Sequence, residues 1–298
     1  MRFLLTGATG FIGKRLIDAI LDEGHYASYL TRRVKENERR NVGQYYWDMR
    51  SPAPAEAFHE VDVVVHLAGE PVAQRWDDEV KKRIRESRVS GTRHLVESLA
   101  RLETRPHTLL CASATGFYGD RADEKLIESS TPGSGFLPSV CVEWEREADR
   151  AATLGLRVVK LRTGIVLGRE GGALEKMLLP FRLGVGGTLG SGEQWMSWIH
   201  LDDLVRMYLW LADGTLTAGP VNAVAPAPVR NAEFTRSLAR ALSRPAFLPV
   251  PAFALRLLYG EMAQVLLESQ RVLPRTAETA GFDFEFPRLE DALEDLVA

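Results

Sequence analysis

Arg2-Phe3-Leu4-Leu5-Thr6-Gly7-Ala8-Thr9-Gly10-Phe11-Ile12-Gly13 is the stretch that decides the fold. Phe3 to Thr6 reads as a buried strand, the glycines at 7, 10 and 13 as a turn, and Ile12 to Glu23 as an amphipathic helix. In a strand-turn-helix context the spacing GxxGxxG has a steric and an electrostatic meaning. Gly7 permits a tight turn, Gly10 lets backbone N–H groups approach a pyrophosphate, and Gly13 lets helix and strand pack closely. The helix N-terminus adds partial positive charge. The segment predicts a dinucleotide site.

Working outward, the second strand, Tyr26 to Thr31, runs into Arg32 and Arg33. An NAD-specific site carries an acid at this place to hold the ribose 2′-hydroxyl, and an acid would repel a 2′-phosphate. A guanidinium grips that phosphate with charge-assisted hydrogen bonds, so the sequence favours NADP(H). The alternative is a solvated basic loop shared with Lys35, Arg39 and Arg40. Further strands are predicted at Gln44 to Asp48, Val61 to Leu67, Thr108 to Ser113 and Arg157 to Leu161, with helices at Asp78 to Leu102 and Cys141 to Leu154. This alternation is that of a doubly wound parallel, Rossmann-type α/β sheet, whose ligands lie outside the carboxyl ends of the strands. Asp48 would then meet an adenine edge or remain an ordinary surface acid. Ala68 and Gly69 are small enough for backbone contact with a cofactor, and His66, in mid-strand, reads as a hydrogen-bonded core residue.

After Leu167 eight glycines crowd residues 168–192, which predicts loops around a cleft. His200-Leu201-Asp202-Asp203 starts a helix that reaches Leu211, and from Asn231 proline-interrupted helical segments lead to an amphipathic stretch, Leu289 to Leu296. The expected organisation is a dinucleotide-binding domain over residues 1–170, to which 199–224 return. A smaller, mainly helical substrate lid is expected from 171–198 and 225–298.

Composition narrows the partners. With 37 Lys+Arg against 40 Asp+Glu the net charge is −3, so no global basic footprint for nucleic acid exists and a small-molecule substrate is expected. Cys111 and Cys141 lack metal or redox spacing, and the six histidines form neither HExxH nor HxH, so no metal is expected. No apolar run approaches the ~18 residues of a membrane span. Because the chain opens directly on a strand, without room for a signal peptide, the expectation is a cytoplasmic protein without a membrane partner.

The glycine turn, the strand ending His66-Leu67-Ala68-Gly69, Arg88-Val89-Ser90-Gly91-Thr92 and Ser113-Ala114-Thr115-Gly116-Phe117-Tyr118-Gly119 resemble the extended short-chain dehydrogenase/reductase, or NAD-dependent epimerase/dehydratase, superfamily. More narrowly, Ala68-Gly69-Glu70-Pro71, Arg75-Trp76, Trp144-Glu145, Arg162 to Gly168, Leu179 to Arg182 and Trp198-Ile199-His200 resemble its nucleoside-diphosphate-sugar epimerase-like branch, which has its own C-terminal domain. The likeness covers essentially the whole chain. It implies cofactor contacts at Gly7, Thr9, Gly10, Phe11, Ile12, Gly13, Thr31, Arg32, Arg33, Leu67, Ala68, Gly69, Arg88 and Val166. Arg88 stands where many extended members place an Asn, which gives this branch another cation facing the cleft, unless it belongs to the solvated face of its lysine- and arginine-rich helix. The resemblance also points to the helices at Asp78 and Cys141 as the place where a homodimer would form.

The superfamily's chemistry uses a Tyr with a Lys four residues later and a nearby hydroxyl that polarises the substrate carbonyl. Ser113 supplies the hydroxyl. The YxxxK pair is missing: its places fall on Ser139 and Glu143 or, shifted by two, on Cys141 and Glu145. Tyr118, five residues after Ser113, or a water, is the expected substitute proton carrier. Cys141 and His200 are weaker candidates, and Trp195 and Trp198 offer either an aromatic substrate platform or core packing. The sequence supports an NADP(H)-dependent oxidoreductase or epimerase-like enzyme for a small carbonyl or hydroxyl compound, or an NADPH-binding regulatory protein without turnover.

Overall fold

The computed structural model describes residues 1–35, 42–214 and 218–298; Arg39 and Arg40 lie outside them. Strands β1 (Arg2–Thr6), β2 (Tyr26–Thr31), β3 (Val42–Tyr46), β4 (Val63–His66) and β5 (Thr108–Ala114) join Arg157–Thr163 and Gly219–Ala223 in one sheet. The order is Gly219–Ala223, Arg157–Thr163, β5, β4, β1, β2, β3, and every pair is parallel. β1 therefore lies between β2 and β4, and the chain reverses its direction of travel there. That reversal opens a crevice beyond Thr6 and His66, the paired ends of β1 and β4.

Central strands in such a sheet are buried on both faces, which is why β4 is Val63-Val64-Val65-His66 without a polar alternation. Successive residues feed opposite cores. Phe3, Leu5, Val63 and Val65 pack with Leu16, Ile17 and Ile20 of α1 (Phe11–Asp22) and with Leu204, Tyr208 and Leu211 of α5 (Leu201–Asp213). On the other face Leu4, Val64, Leu109 and Cys111 pack with Leu95 and Leu99 of α2 (Asp78–Ala100) and with Trp144 and Ala148 of α3 (Phe136–Asp149). Each fully buried aliphatic side chain in these layers contributes about 1.5–3 kcal/mol. α2 starts cleanly because Asp77 accepts the Val80 N–H at 2.7 Å and Asp78 and Glu79 occupy the positive end of its first turn.

Three expectations are corrected. The glycine-rich region is not all loop: α4 (Gly172–Arg182) occupies the gap between Gly172 and Gly184, and its Leu174, Leu178 and Phe181 are buried. The glycines mark its flanks, and their concentration masks the helical spacing between them. α3 starts at Phe136, five residues before Cys141, because Pro138 sits in the first turn, where its missing N–H costs nothing. β3 likewise ends at Tyr46, and Asp48 lies beyond it, accepting the Arg50 N–H at 3.0 Å.

A third core belongs to the C-terminal region. Leu174, Leu178 and Phe181 meet Phe234 and Leu238 of α6 (Asn231–Ala241) and Leu289, Leu293 and Leu296 of the final helix, Leu289–Val297. The segment 70–76 straps this region to the sheet: Lys176 Nζ donates to the Ala73 carbonyl at 3.1 Å and Arg75 Nη1 to the Leu257 carbonyl at 2.6 Å.

Candidate functional site

At the crevice, Gly7 has φ +70°, and a Cβ there would lie 2.8 Å from the Ala68 nitrogen and the Leu67 carbonyl carbon. Only glycine meets both demands. Gly13 is equally constrained, but by the turn rather than by the strand: its Cβ would come 2.4 Å from the Gly7 oxygen and 2.6 Å from Ala8 Cα. The turn is fixed from below by Thr6. Its Oγ1 accepts the Leu67 and Ala68 N–H groups at 3.1 and 3.0 Å and donates to His66 Nδ1 at 2.6 Å, while His66 Nε2 donates to Thr92 Oγ1 at 3.0 Å. Burial, helped by the Arg88 charge, pulls His66 down to about 4. It is a neutral structural histidine.

Above the turn, α1 has Gly10 as its N-cap, no side chain capping it and no acid in its first turn. Its first N–H groups are left for an anion. Thr9 and Gly10 are exposed, and Phe11 and Ile12 are half-buried. The Phe11 ring is packed against Gly168, Gly171 and Gly172, each of which leaves no room for a Cβ there. At the end of β2, Thr31 is half-buried, Arg32 and Arg33 are exposed, and neither arginine has an ion-pair partner among the described residues. Leu67 and Ala68 are half-buried at the end of β4. Val166 is half-buried on Ile165–Leu167, which pairs with Trp198–His200.

Arg88 reaches this edge from α2. Its Nη1 donates to the Glu70 carbonyl at 2.9 Å, and its guanidinium lies 5.2 Å from the Trp144 ring centre. Gly69 makes room for it, since a Cβ there would be 3.2 Å from Arg88 Cζ. Burial holds this guanidinium below the usual arginine range, with Cys141 and Glu70 opposing. Arg88 is therefore part of the cleft wall and not of the solvated helix face.

The residues expected to do chemistry are arranged differently. Of the two registers for the missing pair, the structure selects Cys141 and Glu145: Glu145 Oε1 accepts the Ser113 hydroxyl at 2.7 Å. Arg162 grips Glu145 with both Nε and Nη2 at 2.8 Å. Its Nη1 donates to Tyr118 Oη at 3.0 Å, and Tyr118 donates to Asn222 Oδ1 at 2.7 Å. Burial opposes the Arg162 charge, but Glu145 more than compensates and raises its pKa. Ser113 is 4% exposed and Tyr118 0%.

Two corrections follow. Tyr118 has no access to a substrate, and burial raises its phenol further, Arg162 and Asn222 acting against this; it is a structural strut. Ser113 has committed its proton to Glu145 and has only lone pairs to offer, so it does not polarise a carbonyl as a donor. Ser139 and Glu143, the other register, face α2, where Arg85 donates to both.

The remaining candidates resolve into packing. Cys141 is buried, and burial together with Glu145 pushes its thiol up to about 12, against the pull of Arg88. His200 caps the helix Leu201–Asp213, accepting the Asp202 N–H at 3.1 Å, and stacks on Phe286. Trp198 is fully buried and donates to the Ala227 carbonyl. Trp195 is half-buried, bonded to Asp123 and flanked by Arg230 and Arg271. A cavity of about 880 Å³ borders Thr9, Phe11, Lys14, Arg169, His200 and Asp295. It runs along α1 from Phe11 to Asp18 and includes none of Arg32, Arg88 and Ser113, so the cleft beyond the strand ends is the better candidate. No group of residues that could hold a metal occurs among the described residues.

The glycine turn, the switch point and the strand-end residues are those of a dinucleotide cleft, and the sequence matches NAD dependent epimerase/dehydratase proteins over residues 3–222. The chain belongs to the NAD dependent epimerase/dehydratase family. Within that family, residues 250–296 match a domain of unknown function, DUF1731. The epimerase family protein YfhF of Bacillus subtilis is 37% identical over 299 residues, covering 100% of this chain and 98% of its own. The chloroplastic SDR39U1 homolog of Arabidopsis thaliana is 40% identical over 302 residues, covering 100% and 87%. The crystal structure of human epimerase family protein SDR39U1 (isoform 2) with NADPH superposes with a TM-score of 0.89 at 32% identity, covering 100% of this chain and 99% of the human one. The Rossmann-type body and its C-terminal addition are therefore shared across the length of these family members.

Proposed function

We propose that the chain binds NADP(H) along the carboxyl edge of the sheet and works as an oxidoreductase or epimerase-like enzyme on a small hydroxyl or carbonyl compound held between the sheet and the C-terminal lid. The observation that carries this reading is the pair of exposed arginines at the end of β2, without an ion-pair partner among the described residues, beside a helix N-terminus that no side chain caps. Both are anion sites left open by the protein's own contacts. That the human family member was crystallised with NADPH supports it.

Arg32, with Arg33 and Thr31 beside it, would hold the 2′-phosphate, and the first-turn N–H groups of α1 the pyrophosphate. Leu67, Ala68, Val166 and Arg88 would wall the nicotinamide end. When bound, the nicotinamide supplies a hydride donor or acceptor. Ser113, as an acceptor, suits a substrate hydroxyl better than a carbonyl. Neither Cys141, which keeps its proton, nor Glu145, tied to Arg162, can replace the phenol and ammonium of the usual pair, so water must carry the substrate proton.

The same observation favours a second reading, an NADPH-binding regulatory protein without turnover. Incubation with NADPH and a panel of sugar nucleotides, quinones and aldehydes separates the two. Loss of reduced-nicotinamide absorbance with one compound class, weakened in Ser113→Ala at unchanged NADPH affinity, is expected for the enzyme. No oxidation, together with NADPH-dependent protection of the lid from protease, would establish the regulatory reading.

A further inference from the structure

The lid carries an apolar surface that its own fold does not use. α7 (Ala252–Tyr259) has the sequence AFALRLLY and buries only Leu255, while Leu257 is 77% and Phe253 71% exposed. Phe247 is 73% exposed, and Leu183, Leu179 and Leu258 are almost as open. Leu183 and Phe247 belong to adjoining segments, and α7 follows the second of them directly. The segment after α4 runs beside residues 245–250: Val250 N–H donates to the Thr188 carbonyl at 2.8 Å, Gly190 N–H to the Val250 carbonyl at 2.9 Å, and a Cβ on Gly187 would collide with the Leu248 carbonyl. A helix apolar on nearly every side yet exposed lacks the partner that would justify it.

The charge around the patch is predominantly positive, although Glu175, one turn before Leu179, and Glu261, paired with Lys81, border it in the sequence. Residues 176–189 and 242–260 contain no Asp or Glu, whereas about four would be present at the chain's average density. They carry Lys176, Arg182, Arg244 and Arg256, and the three arginines are exposed without an ion-pair partner among the described residues.

We infer that this face docks on an anionic lipid surface, with the leucines and phenylalanines entering the acyl boundary and Arg182, Arg244 and Arg256 lying among the phosphates. That combination of apolar tips and a cationic rim is what an interfacial segment requires. Closure of the lid is a poorer occupant, because the end of α7 is already tied to the body: Arg75 holds the Leu257 and Leu258 carbonyls, and Lys81 pairs with Glu261 at 2.9 Å. Their side chains remain exposed in that closed arrangement. A second copy across a two-fold axis would set Arg182, Arg244 and Arg256 near their own equivalents, with the border acids Glu175 and Glu261 too few to offset them. The absence, among the described residues, of a helix able to cross a membrane concerns crossing and not lying on a surface, so it does not oppose this inference.

The test is co-sedimentation of the full chain with vesicles of phosphatidylcholine alone and with about one part in four phosphatidylglycerol. Binding to the anionic vesicles only is expected. Arg244→Glu and Arg256→Glu should each weaken it at least about fivefold, and Phe253→Ser with Leu257→Ser should abolish it while far-ultraviolet circular dichroism and NADPH affinity stay unchanged. Absence of pelleting, equal binding to neutral vesicles, or undiminished binding of the serine variant overturns the inference. So does light scattering that shows a dimer converted to a monomer by the serine pair, which would identify a second copy as the occupant.

Discussion

The two ends of the crevice treat charge in opposite ways. At the end of β2, Arg32 and Arg33 stand exposed with no carboxylate paired to them among the described residues, whereas behind β5, Arg162 and Glu145 are about 5% and 8% exposed in a closed bidentate pair. A buried cation cannot wait for a ligand, because the desolvation cost must be offset within the fold. An exposed one can, because water solvates it until an anion arrives. The location of unpaired charge therefore separates binding residues from structural ones better than residue type does. By that criterion Arg32 is the proposed binding residue, and the Glu145–Arg162–Tyr118 cluster behind Ser113 is a support for the cleft.

The contrast is broken most severely by removing one side of the buried pair. Glu145→Ala should cost about 3–5 kcal/mol in urea denaturation, since it leaves Arg162 without a counter-charge; a cost under about 1 kcal/mol would mean that the cluster is hydrated and accessible. Next in size is the His66 support beneath the glycine turn. Its pKa is held at about 4 against an ordinary 6.5, so the folded state resists a proton that the unfolded chain accepts. The stability it contributes is fully present above about pH 6.5 and is lost as pH falls from there to about 4, by about 3 kcal/mol. Urea midpoints at neutral and acidic pH should show that loss in the wild type and a shallower one in His66→Gln. Ser113→Ala removes one hydrogen bond to a carboxylate that keeps its arginine, and should cost about 1–2 kcal/mol with no change in NADPH affinity. The smallest effect is expected at the other end of the contrast: Arg32→Ala should alter stability by no more than about 0.5 kcal/mol.

What was legible in the sequence follows the range of the interactions. The strand, turn and helix at Arg2 to Gly13 were readable because Gly7 answers to its own positive φ and Gly13 to the backbone of Gly7 and Ala8, and the doubly wound order follows from the alternation of elements. α4 was hidden because its glycine flanks dominate the local composition. The polarity of Ser113 was not readable at all. Its proton goes to Glu145, 32 residues on, and Glu145 is held by Arg162, a residue of the RTGIVLG segment with no local sign of that role. The one available hint was a glutamate at a superfamily lysine position, which demands a cation nearby. Tyr118 failed as a proton carrier for a similar reason, since its partner Asn222 is 104 residues away.

The central claim is that Arg32 is a cation left open for the 2′-phosphate. Calorimetric titration of NADPH and NADH into the wild type and into Arg32→Ala tests it directly. The wild type should favour NADPH by about ten- to a hundredfold, the worth of one or two charge-assisted hydrogen bonds, and Arg32→Ala should lose most of that preference while keeping its NADH affinity. Equal affinities in the wild type, or a preference that survives the substitution, would contradict it.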